Sequence, residues 1–274
     1  MKKKRIIPVL LLRNGWLVQS KGFRRYQNIG NPVTSVQRFS EWASDELIYL
    51  DISRGDMIYD MRRDDTGHPN RSSLLEIVED VARQTFMPIT VGGGIRTLAD
   101  IERRLAKGAD KIAINTTAIR EPGFIEAAAL EFGSQCVVVS IDALRSEESL
   151  TVMADGGKRS TGRTAKEWAA EVESRGAGEI LINSVDRDGM KTGYDLGLLT
   201  EVVDAVRVPV IALGGVGEWA HFAEALEHTG VDAVAAANIF HYSDQSVYLA
   251  RKYLYEKGLP VREPALFEIG GSRR

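Results

Sequence analysis

The second half of this chain repeats, in the same order, motifs that occur in its first half. Residues 91–95 (Val-Gly-Gly-Gly-Ile) resemble residues 213–217 (Leu-Gly-Gly-Val-Gly), and residues 108–115 resemble residues 230–237. Matching segments are about 122 to 133 residues apart, which is close to half of the 274-residue chain. Solenoid proteins repeat over a far shorter period. The chain is therefore expected to be a duplication of one half-domain.

Eight short apolar runs are separated by amphipathic, helix-like stretches. The runs show no polar alternation, as expected for strands that are buried on both faces of a parallel sheet. They comprise residues 6–12, 47–52, 87–91, 111–115, 136–141, 179–183, 208–213 and 233–237. Together with the repeat, they predict one α/β domain over residues 1–260, a (β/α)8 TIM barrel made of half-barrels at about 1–132 and 133–260. Residues 261–274 are expected to be a frayed tail, and a doubly wound open sheet is the alternative fold.

Composition excludes several classes of function. The net charge of −3 gives no basic excess for nucleic-acid binding, and one cysteine, Cys136, excludes an intrachain disulfide or a cysteine-built metal site. The apolar run at residues 6–12 is too short for a signal peptide or a membrane span. We therefore expect a cytoplasmic protein with no membrane partner, no metal and no cofactor.

Two polar insertions follow predicted strands, at residues 53–71 and 144–161. The second contains Ala-Asp-Gly-Gly at residues 154–157, which is a turn signal and predicts a small hairpin. Because both insertions follow strands, they are expected at the C-terminal face of the barrel, where the active sites of such barrels lie.

Glycine-rich loops follow the third and the seventh predicted strand. Glycine lets backbone N–H groups approach an anion closely, and the start of the following helix adds a favourable dipole. The pattern occurs once in each half, so it predicts two phosphate sites on opposite sides of the ring, although glycines that only make tight turns remain the alternative. The predicted phosphate or substrate residues are Gly93, Gly94, Asn115, Thr116, Gly189, Gly214, Gly215 and Asn238.

Asp142 ends the fifth predicted strand and is the candidate general acid or base. Asp51, Asp186 and Asp188 follow the second and sixth strands and are candidates for a substrate loop. Asp51 could instead pair with Arg54, and residues 186–189 could form a turn that only orders the loop. In the internal alignment Leu11 occupies the position equivalent to Asp142, so a pair of acids from the two equivalent strands is absent.

Four charged residues stand at or next to the starts of predicted strands, where they would project from the N-terminal end of the barrel. Two cations and two anions can form a neutral ring there, which is costly to bury unless its members satisfy one another. From the residues alone, a stabilising salt-bridge cluster is the favoured interpretation. The four residues are Arg5, Glu46, Lys111 and Glu179.

Long ordered motifs between about residues 4 and 242 are similar to one family. They include residues 4–7, 45–52, 91–95, 108–116, 132–142, 175–181, 186–189 and 193–195. Through these motifs the chain resembles the cyclase subunit of imidazole glycerol phosphate synthase, the HisF family. In that family a glutaminase docks on the N-terminal face of the barrel, and the ammonia that it releases crosses the barrel to react at the C-terminal face.

The resemblance gives the four charged residues a role. Arg5, Glu46, Lys111 and Glu179 match the ammonia gate of the family, which overturns the interpretation as a purely stabilising cluster. Asp110 and Gln135 match positions near the channel and the partner interface. The resemblance also implies a lyase or cyclase type of enzyme with a HisH-like glutaminase as its partner.

The chain departs from the family at the site of cyclase chemistry. The family uses two aspartates, of which Asp142 matches one and Leu11 replaces the other. Gln19 stands where the histidine enzyme has a substrate-contacting lysine, and Leu213 and Asn238 stand for phosphate-site serines. This combination resembles a paralogous branch found with sugar-modifying enzymes of surface polysaccharide (lipopolysaccharide) synthesis. There the ammonia is thought to reach a third enzyme, which converts an acetamido group on a nucleotide sugar into an acetamidino group.

The sequence thus predicts a HisF-type synthase subunit of a glutamine amidotransferase complex. Its expected partners are a HisH-like glutaminase, a third sugar amidotransferase and a phosphate-bearing small molecule. One alternative is an authentic cyclase of histidine biosynthesis, in which another residue compensates for Leu11. The second alternative is a scaffold without catalytic activity that only activates a glutaminase.

Overall fold

The computed structural model describes residues 2–54, 59–60, 70–146, 149–242 and 244–267. Most of the predicted insertion at 53–71 therefore lies outside the described residues. The strands are β1 (Arg5–Arg13), β2 (Trp16–Lys21), β3 (Arg25–Gly30), β4 (Leu47–Asp51), β5 (Ile89–Gly92), β6 (Lys111–Ile114), β7 (Val137–Arg145), β8 (Leu150–Ala154), β9 (Arg159–Thr164), β10 (Glu179–Ser184), β11 (Val210–Leu213) and β12 (Ala233–Ala236).

Eight of these strands form a closed parallel barrel in the order β1-β4-β5-β6-β7-β10-β11-β12. Pairing of β7 with β10 and of β12 with β1 closes the ring, which confirms the predicted barrel and excludes the open sheet. The strand register follows the sequence repeat. Leu11 lies opposite Leu50 in the first half, and Asp142 lies opposite Asn183 in the second.

The helices cover the outside of the barrel. They are α1 (Pro32–Glu41), α2 (Leu74–Ala82), α3 (Leu98–Ala106), α4 (Thr116–Arg120), α5 (Gly123–Phe132), α6 (Ala165–Ser174), α7 (Leu196–Val203), α8 (Trp219–His228) and α9 (Ser246–Glu256). Capping explains where several begin. Thr97 and Thr164 form capping boxes for α3 and α6, and Asn31 accepts from two backbone N–H groups at the start of α1, whose first residue is Pro32.

Apolar side chains form two separate cores. The larger core fills the space between the barrel and its helices. The smaller core fills the inside of the barrel and consists of Ile7, Val9, Ile48, Ala113, Val138, Leu181, Ile211, Leu213, Ala233 and Ala235. The inside of the barrel is therefore largely apolar between its two ends, with the buried Ser140 opposite Leu181 as a polar member.

An antiparallel hairpin follows the first strand of each half. The predicted hairpin at residues 144–161 is confirmed as β8 and β9, with its turn after Ala154. Strands β2 and β3 form an equivalent hairpin that the sequence analysis did not predict. The turn that leads from β1 into β2 does carry a signal, Asn14-Gly15, because both residues have positive φ, as a two-residue hairpin turn requires.

The described part of the expected tail is bound to the barrel rather than frayed. Val261 is buried, and Lys4 N–H donates to Pro260 O at 2.8 Å. Phe267 N–H donates to Glu41 O at the end of α1, also at 2.8 Å. Residues 260–267 therefore pack against the N-terminal end of the barrel, so the expectation of a frayed tail was wrong for them. Among the described residues, no helix combines the length and apolar character needed to span a bilayer.

Candidate functional site

The four charged residues at the floor of the barrel form one closed ring. Arg5 donates to Glu46 Oε2 at 2.8 Å and to Glu179 Oε1, while Lys111 Nζ lies 3.1 Å from both Glu46 carboxylate oxygens and 3.0 Å from Glu179 Oε2. Thr90 adds a hydrogen bond to Glu46 Oε1 at 2.6 Å. Each carboxylate thus receives both cations, which is the mutual satisfaction that buried charges require.

The ring separates solvent at the N-terminal end from the apolar interior. The Glu46 and Glu179 side chains are 2% and 7% exposed, whereas those of Arg5 and Lys111 are each 22% exposed. The carboxylates are therefore the inner members of the ring, and the cations reach the surface. Whether this ring opens for ammonia remains a prediction of the resemblance.

Asp110 and Gln135, expected near the channel and the partner, lie at the same end of the barrel. Asp110 precedes β6, and its carboxylate accepts the N–H of Ile89 at the start of β5 at 2.8 Å. Gln135 is exposed in the short 3-10 helix before β7. Asp110 thus has a structural role of its own, and Gln135 is accessible to a partner.

Asp142 is buried at the opposite end, in the mouth of the barrel. The side-chain amide of Asn115 donates to Asp142 Oδ2 at 2.9 Å, and that of Asn183 donates to Oδ1 at 3.4 Å. The pKa of the Asp142 carboxyl is raised to about 7. Burial is the largest cause; the two amide hydrogen bonds act in the opposite direction, and the negative charge of Asp188 adds to the increase. A carboxyl group with this pKa can give or take a proton near neutral pH, as a general acid or base must.

The mouth is polar on one side and apolar on the other. Asn115, Asp142 and Asn183 form the polar side. Leu11 and Leu50 pack on the inner apolar core at the equivalent positions of the first half. The strand register therefore places Leu11 where the repeat predicted it, and no carboxylate faces Asp142 from that strand position.

Asp142→Asn is expected to stabilise the protein by about 4 kcal/mol at pH 8 and to have little effect near pH 4. The pKa of the folded state lies above the unfolded value of 3.8, so below pH 3.8 the wild-type carboxyl is neutral in both states. Wild-type stability then falls as the pH rises from 3.8 to about 7, because unfolding lets the buried carboxyl ionise in water. Urea denaturation of both proteins at several pH values measures the difference, and a difference that does not grow with pH contradicts the raised pKa.

Gly93 and Gly215 occupy equivalent places in the two glycine-rich loops. Each has a φ of +100°, and a Cβ on either would overlap a backbone carbonyl oxygen, of Asp51 and of Gly193 respectively. These glycines are therefore required for tight packing of the strand ends. This finding supports the alternative of tight turns, and the same loops also line the mouth.

A pocket of about 290 Å³, including its open side, lies at the ends of β11 and β12. Its lining contains four of the predicted phosphate residues, which are Gly189, Gly214, Gly215 and Asn238. Asn238 donates its amide to Ser20 O at 2.9 Å, and its Oδ1 has no hydrogen-bond partner among the described residues. The structure thus brings the second predicted phosphate set together around one opening.

The first predicted phosphate set is already engaged by protein atoms. Asn115 donates to Asp142, and Thr116 Oγ1 accepts the N–H of Asp155 in the β8–β9 turn at 3.2 Å. Gly94 is exposed, and a Cβ on this residue would lie 3.7 Å from the Arg104 guanidinium. Within the described residues, Asn115 and Asn238 are alike, because each donates its amide to a protein oxygen and each has an Oδ1 without a partner. The halves differ in Thr116, which the β8–β9 turn holds.

The three further aspartates differ in role. Asp188 is buried and accepts hydrogen bonds from Ser20 Oγ at 2.6 Å and Phe23 N–H at 3.1 Å, so it orders the β2–β3 turn. Burial raises the pKa of its carboxyl, and these hydrogen bonds act in the opposite direction. The two others, Asp51 and Asp186, are not buried; Asp186 is exposed and accepts from Ser184 Oγ at 3.2 Å.

Asp51 accepts hydrogen bonds from Ser53 N–H at 2.9 Å and Tyr59 Oη at 2.7 Å. Arg54, the suggested partner of Asp51, instead reaches the carbonyl oxygens of Asp155 and Gly156 at 3.4 and 3.3 Å. The sequence analysis missed Tyr59, which lies in the polar insertion and carries no signal of its own. Over the described ranges, no group of three or more His, Cys, Asp or Glu side chains is arranged to hold a metal ion.

The fold and its two ends define a class of protein: a duplicated (β/α)8 barrel with glycine-rich loops and buried acids at its mouth and a charged ring at its floor. The chain belongs to the histidine biosynthesis protein family, whose model matches residues 5–246. The matched range extends from β1 to the first residue of α9 and includes every barrel strand. Members of this family are typically isomerases or cyclases.

Proposed function

We propose that this chain is the barrel subunit of a glutamine amidotransferase complex and carries ammonia from a HisH-like glutaminase to the mouth. The proposed end use is formation of an acetamidino group on a nucleotide sugar of surface polysaccharide, by a third enzyme. One observation carries the proposal: a complete charged ring at the floor is combined with a mouth in which Asp142 has no acid at the equivalent position of the first half, Leu11. The ring suits passage of ammonia, whereas the absence of that second acid does not suit a cyclisation that uses two.

The interior of the barrel supports passage of neutral ammonia. Above the ring, the inward-facing residues are largely apolar, with Ser140 as a buried polar exception, and three of them are the small residues Ala113, Ala233 and Ala235. An ammonium ion loses its hydration in such surroundings at a high free-energy cost, whereas neutral ammonia loses much less. A lumen of this kind therefore favours the uncharged nucleophile.

Exposed apolar side chains at the N-terminal end support a protein partner there. Phe86 precedes β5 and is fully exposed, and Leu130 near the end of α5 is 91% exposed. Thr85, next to Phe86, is hydrogen-bonded to Ser40 near the end of α1. The exposed Phe267 is held at the same place through its backbone N–H, which donates to Glu41 O. Phe86 and Phe267 thus both lie near the end of α1, and exposed apolar side chains that are close together are typical of interaction sites. This is the face on which the proposed glutaminase would dock.

The authentic cyclase is retained as a second candidate because of Asp142. Its carboxyl is buried, held by two amides and has a pKa of about 7, as a proton-transfer group requires. In this alternative another group replaces the acid missing at Leu11.

A cyclase assay on the purified chain, with the aminoimidazole precursor and ammonium salt, separates these candidates. We expect turnover at least about 100-fold below that of an ordinary cyclase, since loss of one proton-transfer group typically costs about 10²–10⁴-fold. Asp142→Asn provides the background rate, and stimulation of a glutaminase shows that the chain is folded. Turnover at the ordinary rate would mean that Leu11 is compensated and that the chain is a histidine-pathway cyclase.

A further inference from the structure

The two hairpins that follow β1 and β7 are strongly basic. Residues 13–30 contain four basic and no acidic residues, and residues 150–164 contain three basic residues and one acidic residue. Together these segments carry a net charge of +6 in a chain whose net charge is −3, so the remainder carries −9. The charge is thus segregated toward the hairpins.

The tips of the two hairpins meet over the mouth of the barrel. Phe23 in the first turn lies against Gly157 in the second, with Phe23 Cδ2 3.0 Å from the position that a Cβ on Gly157 would occupy. Asp188 holds the first turn, and Thr116 holds the second through the N–H of Asp155. We call the joined tips, residues 20–25 and 155–159, the basic arch.

Most cations of the basic arch are free of carboxylates. Lys21, Arg24, Arg25 and Lys158 are exposed, and none of them forms a salt bridge within the part of the chain that the structure describes. The one acid of the arch, Asp155, already binds Arg120 at 2.8 Å and Arg159 at 3.0 Å. The arch therefore presents an uncompensated positive surface beside the opening.

We propose that the basic arch is a docking surface for an acidic face of the enzyme that receives the ammonia. This inference rests on the proposed function, in which ammonia leaves the barrel at the mouth and must reach a second active site without loss to solvent. A protein that covers the mouth must contact the arch, because the two tips meet above it. Complementary charge steers such a partner and fixes its orientation.

The arrangement of the cations favours an acidic protein over a small anion. Binding of one phosphate uses donors that converge on a point, commonly backbone N–H groups at a helix start or a bidentate guanidinium. In the arch, the exposed cations are distributed over two turns on either side of the Phe23–Gly157 contact. A broad surface of this kind matches a partner with several spaced carboxylates.

Binding of fluorescently labelled poly-L-glutamate, measured by anisotropy at low and at physiological salt, tests the proposal. We expect saturable, salt-sensitive binding that weakens at least tenfold in the triple variant Lys21→Glu, Arg24→Glu, Arg25→Glu. The matched control reverses three exposed cations outside the arch, Lys166→Glu in α6, Arg207→Glu in the loop before β11 and Lys257→Glu after α9, and is expected to bind nearly as wild type. Equal weakening in both triple variants would overturn the proposal. Displacement of the polypeptide by equimolar inorganic diphosphate or UDP would also overturn it, because it would identify a small-anion site.

A coupled assay with the sugar-amidating enzyme then separates this inference from the proposed function. If the arch variant still stimulates the glutaminase but releases free ammonia in place of product, the docking surface is supported. If wild type and arch variant both deliver ammonia equally, the docking surface is wrong and the proposed function stands. If wild type delivers none while the acceptor enzyme uses added ammonium, the proposed function fails, and the anisotropy result alone decides whether the arch binds acidic polypeptides.

Discussion

Glu46→Gln is expected to lower the free energy of unfolding by roughly 3 kcal/mol, the lower end of the range for breaking a buried ion pair. Glu46 accepts hydrogen bonds from Arg5, Lys111 and Thr90, and its side chain is only 2% exposed. The substitution leaves two cations to share Glu179. The lower end is appropriate because about a fifth of each cation side chain is exposed to water, which screens the excess charge.

Glu79→Gln is the matched control for this prediction. Glu79 also holds two cations, Lys107 at 2.7 Å and Arg83 at 2.6 Å, but on the outer surface of α2. Surface ion pairs contribute about 0–1 kcal/mol, so the control should lower the free energy of unfolding by about 1 kcal/mol at most. Urea denaturation at neutral pH measures both variants. Equal effects would contradict the view that the ring is held by mutual satisfaction of buried charges.

Gly215→Ala, and Gly93→Ala in the other half, should each destabilise the protein by more than about 3 kcal/mol or prevent folding. The left-handed conformation alone costs a residue with a Cβ about 1–2 kcal/mol. The added methyl group would also overlap a backbone carbonyl oxygen, and overpacking of this kind costs a further 1–3 kcal/mol or so. The strand-end loops would have to move apart.

Gly162→Ala separates the two contributions. Gly162 has a φ of +73°, but nothing lies within 4 Å of its Cβ direction. We therefore expect a loss of only about 1–2 kcal/mol, from the conformation alone. Thermal or urea denaturation of the three alanine variants makes the comparison. If Gly215→Ala is no worse than Gly162→Ala, the loop has room for a side chain and its glycine is not needed for packing.

The barrel could be predicted because periodicity and repetition are properties of the sequence itself. Strands that are buried on both faces must be continuously apolar. A half-barrel of four strands has two open edges, and its duplicate supplies the strands that pair with both of them. The β2–β3 hairpin was missed although Asn14-Gly15 marks the turn from β1 into β2. The reason is that β2 closely follows the apolar run of β1, so the two were interpreted as one strand and its loop. The attachment of residues 260–267 was missed because it depends mainly on backbone hydrogen bonds, which leave no pattern in the sequence.

The candidate site was predictable where function depends on residues at strand ends. Asp142 and Leu11 follow from the repeat, and the four ring residues follow from charges at strand starts. The engagement of Asn115 and Thr116 by Asp142 and by the β8–β9 turn was not predictable. Such contacts depend on how distant loops pack over the mouth, and the amide of an asparagine can donate to a ligand or to a neighbouring carboxylate equally well.

The asymmetry of the mouth connects the fold with the proposal. A duplicated barrel places equivalent residues at opposite sides of the ring, so duplication alone would supply two acids. This chain retains the carboxyl on β7 and has an apolar wall of Leu11 and Leu50 at the equivalent place. The charged ring, by contrast, is complete and draws members from both halves. The residues thus support transit of ammonia more strongly than its chemical use at the mouth.

An isotope-partition measurement tests the transit of ammonia most directly. The wild-type chain, its glutaminase and the sugar-amidating enzyme receive glutamine labelled with ¹⁵N in its amide, in buffer with excess unlabelled ammonium. Mass spectrometry then measures the label in the acetamidino product. Transit through the barrel predicts a product that carries mainly the glutamine label, because the ammonia does not mix with solvent. A product with the isotope ratio of the bulk ammonium would contradict the proposal that this barrel conducts ammonia.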